Sequence, residues 1–156
     1  MLFRSMLAGS FLGKKQGFIS NLFFVALVLL GAPILSGGRG GLAILTGPTG
    51  GYFIIWPVSG FVIGAMVEKL WDRINILTYI IVNFIGGILL IDLSGAIYLS
   101  CLTGIKLGGA ILSSAAFIPG DLVKAAIVSL LCMKLKFMSP INETVHKAGN
   151  SEEEKR

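Results

Sequence analysis

The sequence predicts an all-α integral membrane protein: a helical bundle of about four complete spans, preceded by a partial helix and interrupted by a short helix at the outer face. Three observations carry this. Hydrophobic residues make up 54% of the 156-residue chain and charged residues only 13%, with a mean hydropathy of +0.86, which excludes an ordinary water-soluble domain. Apolar runs of spanning length recur along residues 1–138, where an N-terminal leader would supply only one. Basic residues stand beside those runs. The net charge of +5 and pI near 9.4 therefore read as membrane-topology signals, and no nucleic-acid partner is expected.

Residues 1–13 are apolar apart from Arg4 and too short to cross, and Lys14-Lys15 closes them. Phe18 to Leu35 is the first full span, with Pro33 near its end. Residues 36–51 form a glycine-rich loop containing Gly37-Gly38-Arg39-Gly40-Gly41 and then Gly47-Pro48-Thr49-Gly50-Gly51. It lacks the Gly-Lys-Ser/Thr ending of a phosphate-binding loop, so no nucleotide site is read there. Irregular backbone at membrane depth survives only where protein or a wet cavity satisfies its N–H and C=O groups, so this loop is expected to line a cavity. Tyr52 to Val67 spans again, and Pro57 predicts a kink in it. Glu68 to Arg73 is a charged turn with Trp71 expected at the membrane interface. Ile74 to Ile91 is the next span, and its apolar pattern continues past Asp92 to about Ile105. Leu107 to Phe117 is a milder, small-residue segment that suits a short or re-entrant helix. Pro119-Gly120-Asp121 opens the last span, which Lys134 and Lys136 close. Residues 139–156 are polar and are expected to form a disordered cytoplasmic tail. His146, the single histidine, lies in that tail without companion ligands, so no metal site is expected.

With one crossing per span, Lys14, Lys15, Lys69, Arg73, Lys134 and Lys136 fall at one face, which the positive-inside rule makes the cytoplasm of a bacterial plasma membrane. The two cysteines, Cys101 and Cys132, then lie at opposite faces and are not expected to pair. Arg39, Asp92, Lys106, Asp121 and Lys124 remain on the outer half, where charge is unfavourable unless paired, wet or functional. Lys106 reads as a solvated loop residue and Asp92 as an interfacial or helix-end group. Asp121 suits the first turn of a helix, where an acid stabilises the helix dipole. Lys124, three residues on, shares its face. Two readings stay open for Lys124: simple pairing with Asp121, or an ammonium near a helix N-terminus waiting for an anionic group. Two also stay open for Arg39: a solvated loop arginine, or bidentate recognition of a carboxylate from a backbone that glycine allows to fold tightly. No acid–base pair, nucleophile set or metal cluster is present in the sequence, so catalysis and a cofactor are not expected.

The stretches Gly31-Ala32-Pro33-Ile34-Leu35-Ser36-Gly37-Gly38-Arg39-Gly40-Gly41-Leu42 and Leu45-Thr46-Gly47-Pro48-Thr49-Gly50-Gly51-Tyr52 resemble the third loop of the BioY proteins. These are the biotin-binding S components of energy-coupling-factor transporters. Phe117-Ile118-Pro119-Gly120-Asp121-Leu122-Val123-Lys124-Ala125-Ala126 is similar to the family's second signature, at the start of its last helix. The resemblance covers roughly residues 7–138. It implies a six-helix bundle that binds biotin at the outer face, and as partners a transmembrane coupling subunit and two cytoplasmic ATPases. The family's binding role carries over to Asp121 and Lys124 in Pro-Gly-Asp-x-x-Lys, to Gly47, Thr49, Gly50, Gly51 and Tyr52 in the loop, and to Arg39. Tyr52, Phe53, Trp56 and Tyr98 offer apolar walls with polar tips. The family's first helix and most of its second have no counterpart before Leu7, so a misassigned start or a truncated gene is expected, with coupling affected more than ligand identity. Two other functions fit the composition: a ligand-free membrane scaffold whose glycines serve only helix packing, and an S component for a different vitamin.

Overall fold

The computed structural model describes residues 2–35, 37, 38 and 40–141, without the side chain of Phe137. Arg39, Ser36, His146 and most of the expected tail lie outside the described residues. Among the described residues six α-helices follow one another: α1 Leu2–Leu29, α2 Gly50–Lys69, α3 Ile76–Asn83, α4 Leu90–Thr103, α5 Leu107–Ala115 and α6 Ile118–Lys134. A π-type stretch, Phe84–Leu89, joins α3 to α4, so that Ile76–Thr103 is one apolar run of 28 residues, long enough to cross a bilayer. Helix α2 is also long and apolar enough, and it stays helical through Pro57. Helices α5 and α6 meet at 52° across a short break.

Helix α1 is a hairpin. Gly13 sits at φ 84°, ψ −179°, a left-handed backbone that favours glycine. The chain reverses there, and a Cβ on Gly17 would stand 3.0 Å from the Cα of Gly9. The arm before Gly13 is the short apolar stretch expected from sequence. The arm after it begins at Lys14 and ends at Leu29, earlier than the expected Leu35, because Gly31 turns left-handed (φ 99°) and Pro33 follows.

Helix α2 packs on the hairpin through glycine. A Cβ on Gly9 would come 2.7 Å from the carbonyl oxygen of Gly60, and one on Gly64 would come 2.6 Å from the Cα of Lys14. The spacing Gly60-x-x-x-Gly64 puts both on one face, and close backbone approach replaces the hydrophobic force that is missing between helices in lipid. Polar side chains knit the remaining contacts. Ser10 Oγ donates to Asn83 Oδ1 at 3.0 Å, Asn83 Nδ2 to the Tyr79 carbonyl at 3.0 Å, and Ser59 Oγ to the Gly86 carbonyl at 2.6 Å. Ile63, Val67, Tyr79, Ile88 and Val128 fill the centre, while Phe23, Leu77 and Val123 stay exposed on the rim, as lipid-facing residues must.

The basic residues expected at one face do gather at one end. Lys14 Nζ pairs with Glu68 Oε2 at 2.9 Å, and the Lys14 N–H donates to Glu68 Oε1 at 2.8 Å. Lys136 Nζ donates to the Trp71 carbonyl at 3.0 Å and lies 5.1 Å from the centre of its ring. Trp71 is buried in protein (4% exposed), in one core cluster with Ile74 and Cys132. One expectation changes here. The ordered body does not stop at residue 138. Ser139 Oγ donates to the Phe11 carbonyl at 2.5 Å, and Ile141 is 1% exposed and part of the core, so these residues close the bundle where a disordered tail was expected to start.

Candidate functional site

The opposite end carries the glycine-rich loop and the charged residues of the outer half. After α1 the loop folds back on the helix end. Gly41 N–H donates to the Val28 carbonyl at 2.7 Å, and a Cβ on Gly40 would lie 2.5 Å from the Ala32 carbonyl oxygen. A 3₁₀ turn, Leu42–Ile44, then leads into α2. The Tyr98 hydroxyl donates to the Leu45 carbonyl and ties the loop to α4. Gly50 and Gly51 are buried at this seam. A Cβ on Gly51 would come 2.6 Å from Tyr98 Cγ, and one on Gly50 would strike the Leu45 carbonyl. Their smallness lets the α2 N-terminus dock on α4, so Tyr98 is a wall behind the loop and not a free surface.

Two cavities open beside this seam. The larger, about 680 Å³, lies under the loop and is lined by Leu35, Gly38, Ala43, Gly47 and Trp56, with Phe53 (2% exposed) at its base. The smaller, about 360 Å³, lies among α2, α4, α5, α6 and Leu2 at the start of α1, and takes Asp92, Phe117, Asp121 and Lys124. Pro48, Thr49 and Tyr52 line both, so they form the partition between the cavities. Both volumes fall within the roughly 300–1,000 Å³ of ligand clefts. The described lining of the loop cavity carries no charge, whereas the smaller cavity concentrates it.

Helix α6 positions the pair that the sequence singles out. Pro119 opens the helix at its first turn, Asp121 follows in that turn, and Lys124 stands on the same face. Lys124 Nζ donates to Asp121 Oδ1 at 2.6 Å. Asp121 is 2% exposed while the Lys124 side chain is 43% exposed, so a buried carboxylate anchors a partly accessible ammonium. An ammonium has three N–H donors, so two of those on Lys124 remain beyond the one given to Asp121. Pairing and reception of an anion, which the sequence leaves as alternatives, are thus compatible.

Tyr52 lines both cavities and is fixed in place from two sides. Its hydroxyl shares a hydrogen bond with Ser114 Oγ at 2.6 Å, and Gly95 leaves room for its ring against α4. The structure therefore brings Thr49, Tyr52, Asp121 and Lys124 to one cavity and Gly47 to its neighbour. It keeps Gly50 and Gly51 in the seam behind them, and Arg39 is not among the described residues. Sequence reasoning missed Ser114, Phe117 and above all Asp92. Asp92 is no helix-end group: it stands inside the continuous helical run Ile76–Thr103, facing the same cavity as Asp121 and Lys124. The available signal was its position, an acid with apolar sequence on both sides.

Comparison with known proteins gives the family and the fold. The BioY family model matches residues 1–140. The chain is 39% identical over 131 residues to the biotin transporter BioY of Rhizobium etli, covering 81% of this chain and 70% of that protein. It is 40% identical over 133 residues to the biotin transporter BioY of Lactococcus lactis subsp. cremoris, covering 84% and 70%. It is 35% identical over 144 residues to the probable biotin transporter BioY of Bacillus subtilis, covering 92% and 77%. Among solved structures it is similar to the S-component for biotin from an ECF-type ABC transporter, with a TM-score of 0.83 and 39% identity over 86% of this chain and 72% of that one. A family model spanning the helical body, relatives of this identity and a shared fold together make the chain a member of the BioY family.

Proposed function

We propose that this chain binds biotin at the outer face of the bacterial plasma membrane and acts as the substrate-binding subunit of an energy-coupling-factor transporter. The observation that carries this is the charged cavity itself: a buried Asp121 holding Lys124 beside Tyr52 and Thr49, continuous in its walls with an apolar cavity under the loop. Members of its family are transport subunits and not enzymes. Biotin is then the cargo and no cofactor is assigned. The remaining N–H donors of Lys124, with Arg39 from the loop, receive the valerate carboxylate. Tyr52, Phe117 and Trp56 pack on the apolar ring system and chain. A transmembrane coupling subunit and cytoplasmic ATPases supply the energy.

Saturable binding of radiolabelled biotin to the purified protein, undiminished by excess thiamine or riboflavin, is the expected result. No saturable binding would favour a ligand-free scaffold, and displacement by another vitamin would favour a different S component.

The orientation makes its own prediction. Cys101 is exposed at the loop end and Cys132 is buried. A membrane-impermeant thiol reagent should label Cys101 in intact cells. A cysteine introduced by Arg73→Cys, in a background with Cys101→Ser, should react only after permeabilisation. The opposite pattern would put the cavity on the cytoplasmic side and end the uptake reading.

A further inference from the structure

Lys124 pairs with Asp121, and Oδ2 of the neighbouring Asp92 has no hydrogen-bond partner among the described residues. Asp92 lies inside the continuous helical run Ile76–Thr103, which is long and apolar enough to span the membrane, next to Ile91, which is 1% exposed. It lines the smaller cavity, yet its Oδ2 is shut off from solvent and takes no hydrogen bond among the described residues. A buried acceptor in an apolar setting is unfavourable until a donor reaches it. Lys124 Nζ donates to Asp121 Oδ1 at 2.6 Å and makes no hydrogen bond to Asp92 Oδ2. The Tyr52 hydroxyl is engaged as well, with Ser114 Oγ. Among the described residues the cavity is lined by two carboxylates and one ammonium, with an acceptor to spare. What fits such a surplus is a ligand that brings its own N–H donor.

The inference rests on the biotin reading and deepens it. The N–H donors of biotin are the two of its ureido ring. We propose that Asp92 is a specificity-determining residue whose carboxylate, turned toward the smaller cavity that it lines, accepts a ureido N–H of bound biotin, fixing the ring there and selecting cyclic ureas. The charged end of the ligand then belongs to the free donors of Lys124, so the two ends are read by different side chains. Asp121 becomes a positioning residue that holds Lys124 in place.

The test compares biotin with 2-iminobiotin, in which the ureido carbonyl is replaced by an imine that is protonated at neutral pH. Its N–H groups are stronger donors and carry positive charge toward an acid. Wild-type and Asp92→Asn proteins are titrated calorimetrically with both compounds. Asp92→Asn is expected to weaken 2-iminobiotin at least about tenfold more than biotin, because a charge-assisted hydrogen bond becomes a neutral one. An unchanged affinity ratio in a variant that still binds biotin overturns the proposal. Wild-type protein that binds no biotin would instead remove the underlying reading, and this proposal with it. If Asp92→Asn does not fold, wild-type protein alone decides with biotin methylated on both ureido nitrogens. A loss of about tenfold or more is expected, and full affinity for that compound overturns the assignment.

Discussion

Replacing Lys124 with alanine should weaken biotin binding at least tenfold, because a desolvated charge-assisted hydrogen bond contributes about 1.5–3 kcal/mol. The same change should lower stability without ligand. Asp121 is 2% exposed and its Oδ1 takes the Lys124 ammonium at 2.6 Å, so the alanine leaves a buried carboxylate alone. The two consequences separate in the double variant. Asp121→Asn combined with Lys124→Ala removes the unpaired charge, so thermal stability in detergent should recover while biotin affinity stays low. Biotin methyl ester gives an independent check: without a carboxylate it should bind wild type and Lys124→Ala with similar affinity. Wild-type affinity for biotin in a folded Lys124→Ala protein would remove Lys124 from the site.

The second large effect belongs to the fold. Gly64→Ala should destabilise the protein by about 2–3 kcal/mol, at the upper end of ordinary overpacking. The new methyl would lie 2.6 Å from the Cα of Lys14 and would also strike the Gly13 backbone, neither of which can rotate away as a side-chain tip would. The larger Gly64→Val should prevent accumulation of extractable protein. Gly108→Ala is the control, since nothing lies within 4 Å of a Cβ there. Thermal unfolding of the three purified proteins reads the difference. A Gly64→Ala protein as stable as the Gly108→Ala control would mean that the α1 hairpin and α2 do not pack as described.

The consequence of such packing reaches the binding end. Helix α2 begins at Gly50, immediately beside Thr49 and Tyr52 on the partition between the cavities, and ends at Lys69, one residue beyond the Glu68 that pairs with Lys14. A shift of α2 on the hairpin therefore moves Tyr52 relative to Asp121 and Lys124. Stability at one end and ligand geometry at the other share a single rigid helix, which is how changes at the inner end would reach the cavity.

Much of this was legible in the sequence because it is local. Hydropathy adds along the chain, so the apolar runs marked the helices within a few residues, and the basic residues beside them marked the end that Lys14, Glu68 and Lys136 occupy. Pro-Gly-Asp-x-x-Lys marked a helix start with two charges on one face, because proline suits a first turn and a three-residue spacing returns to the same side. Family membership was legible for the same reason, since it rests on short stretches read in order.

What the sequence left undetermined depends on pairs of residues far apart in the chain. Gly13 is one glycine among 21, and nothing local says that this one reverses the chain while Gly60 and Gly64 admit the backbone of the resulting hairpin. Gly50 and Gly51 looked like ligand-approach glycines, but Tyr98, some fifty residues later, shows their smallness serving a helix seam. Ser139 and Ile141 looked like the start of a polar tail until Phe11 and the core gave them a place. Asp92 looked like a helix-end acid until folding set it in one cavity with Asp121 and Lys124. Composition and periodicity determine which segments enter the membrane, because that free energy is summed residue by residue. Which glycine admits a neighbour, and which carboxylate is left waiting for a donor, is decided only when two distant surfaces meet.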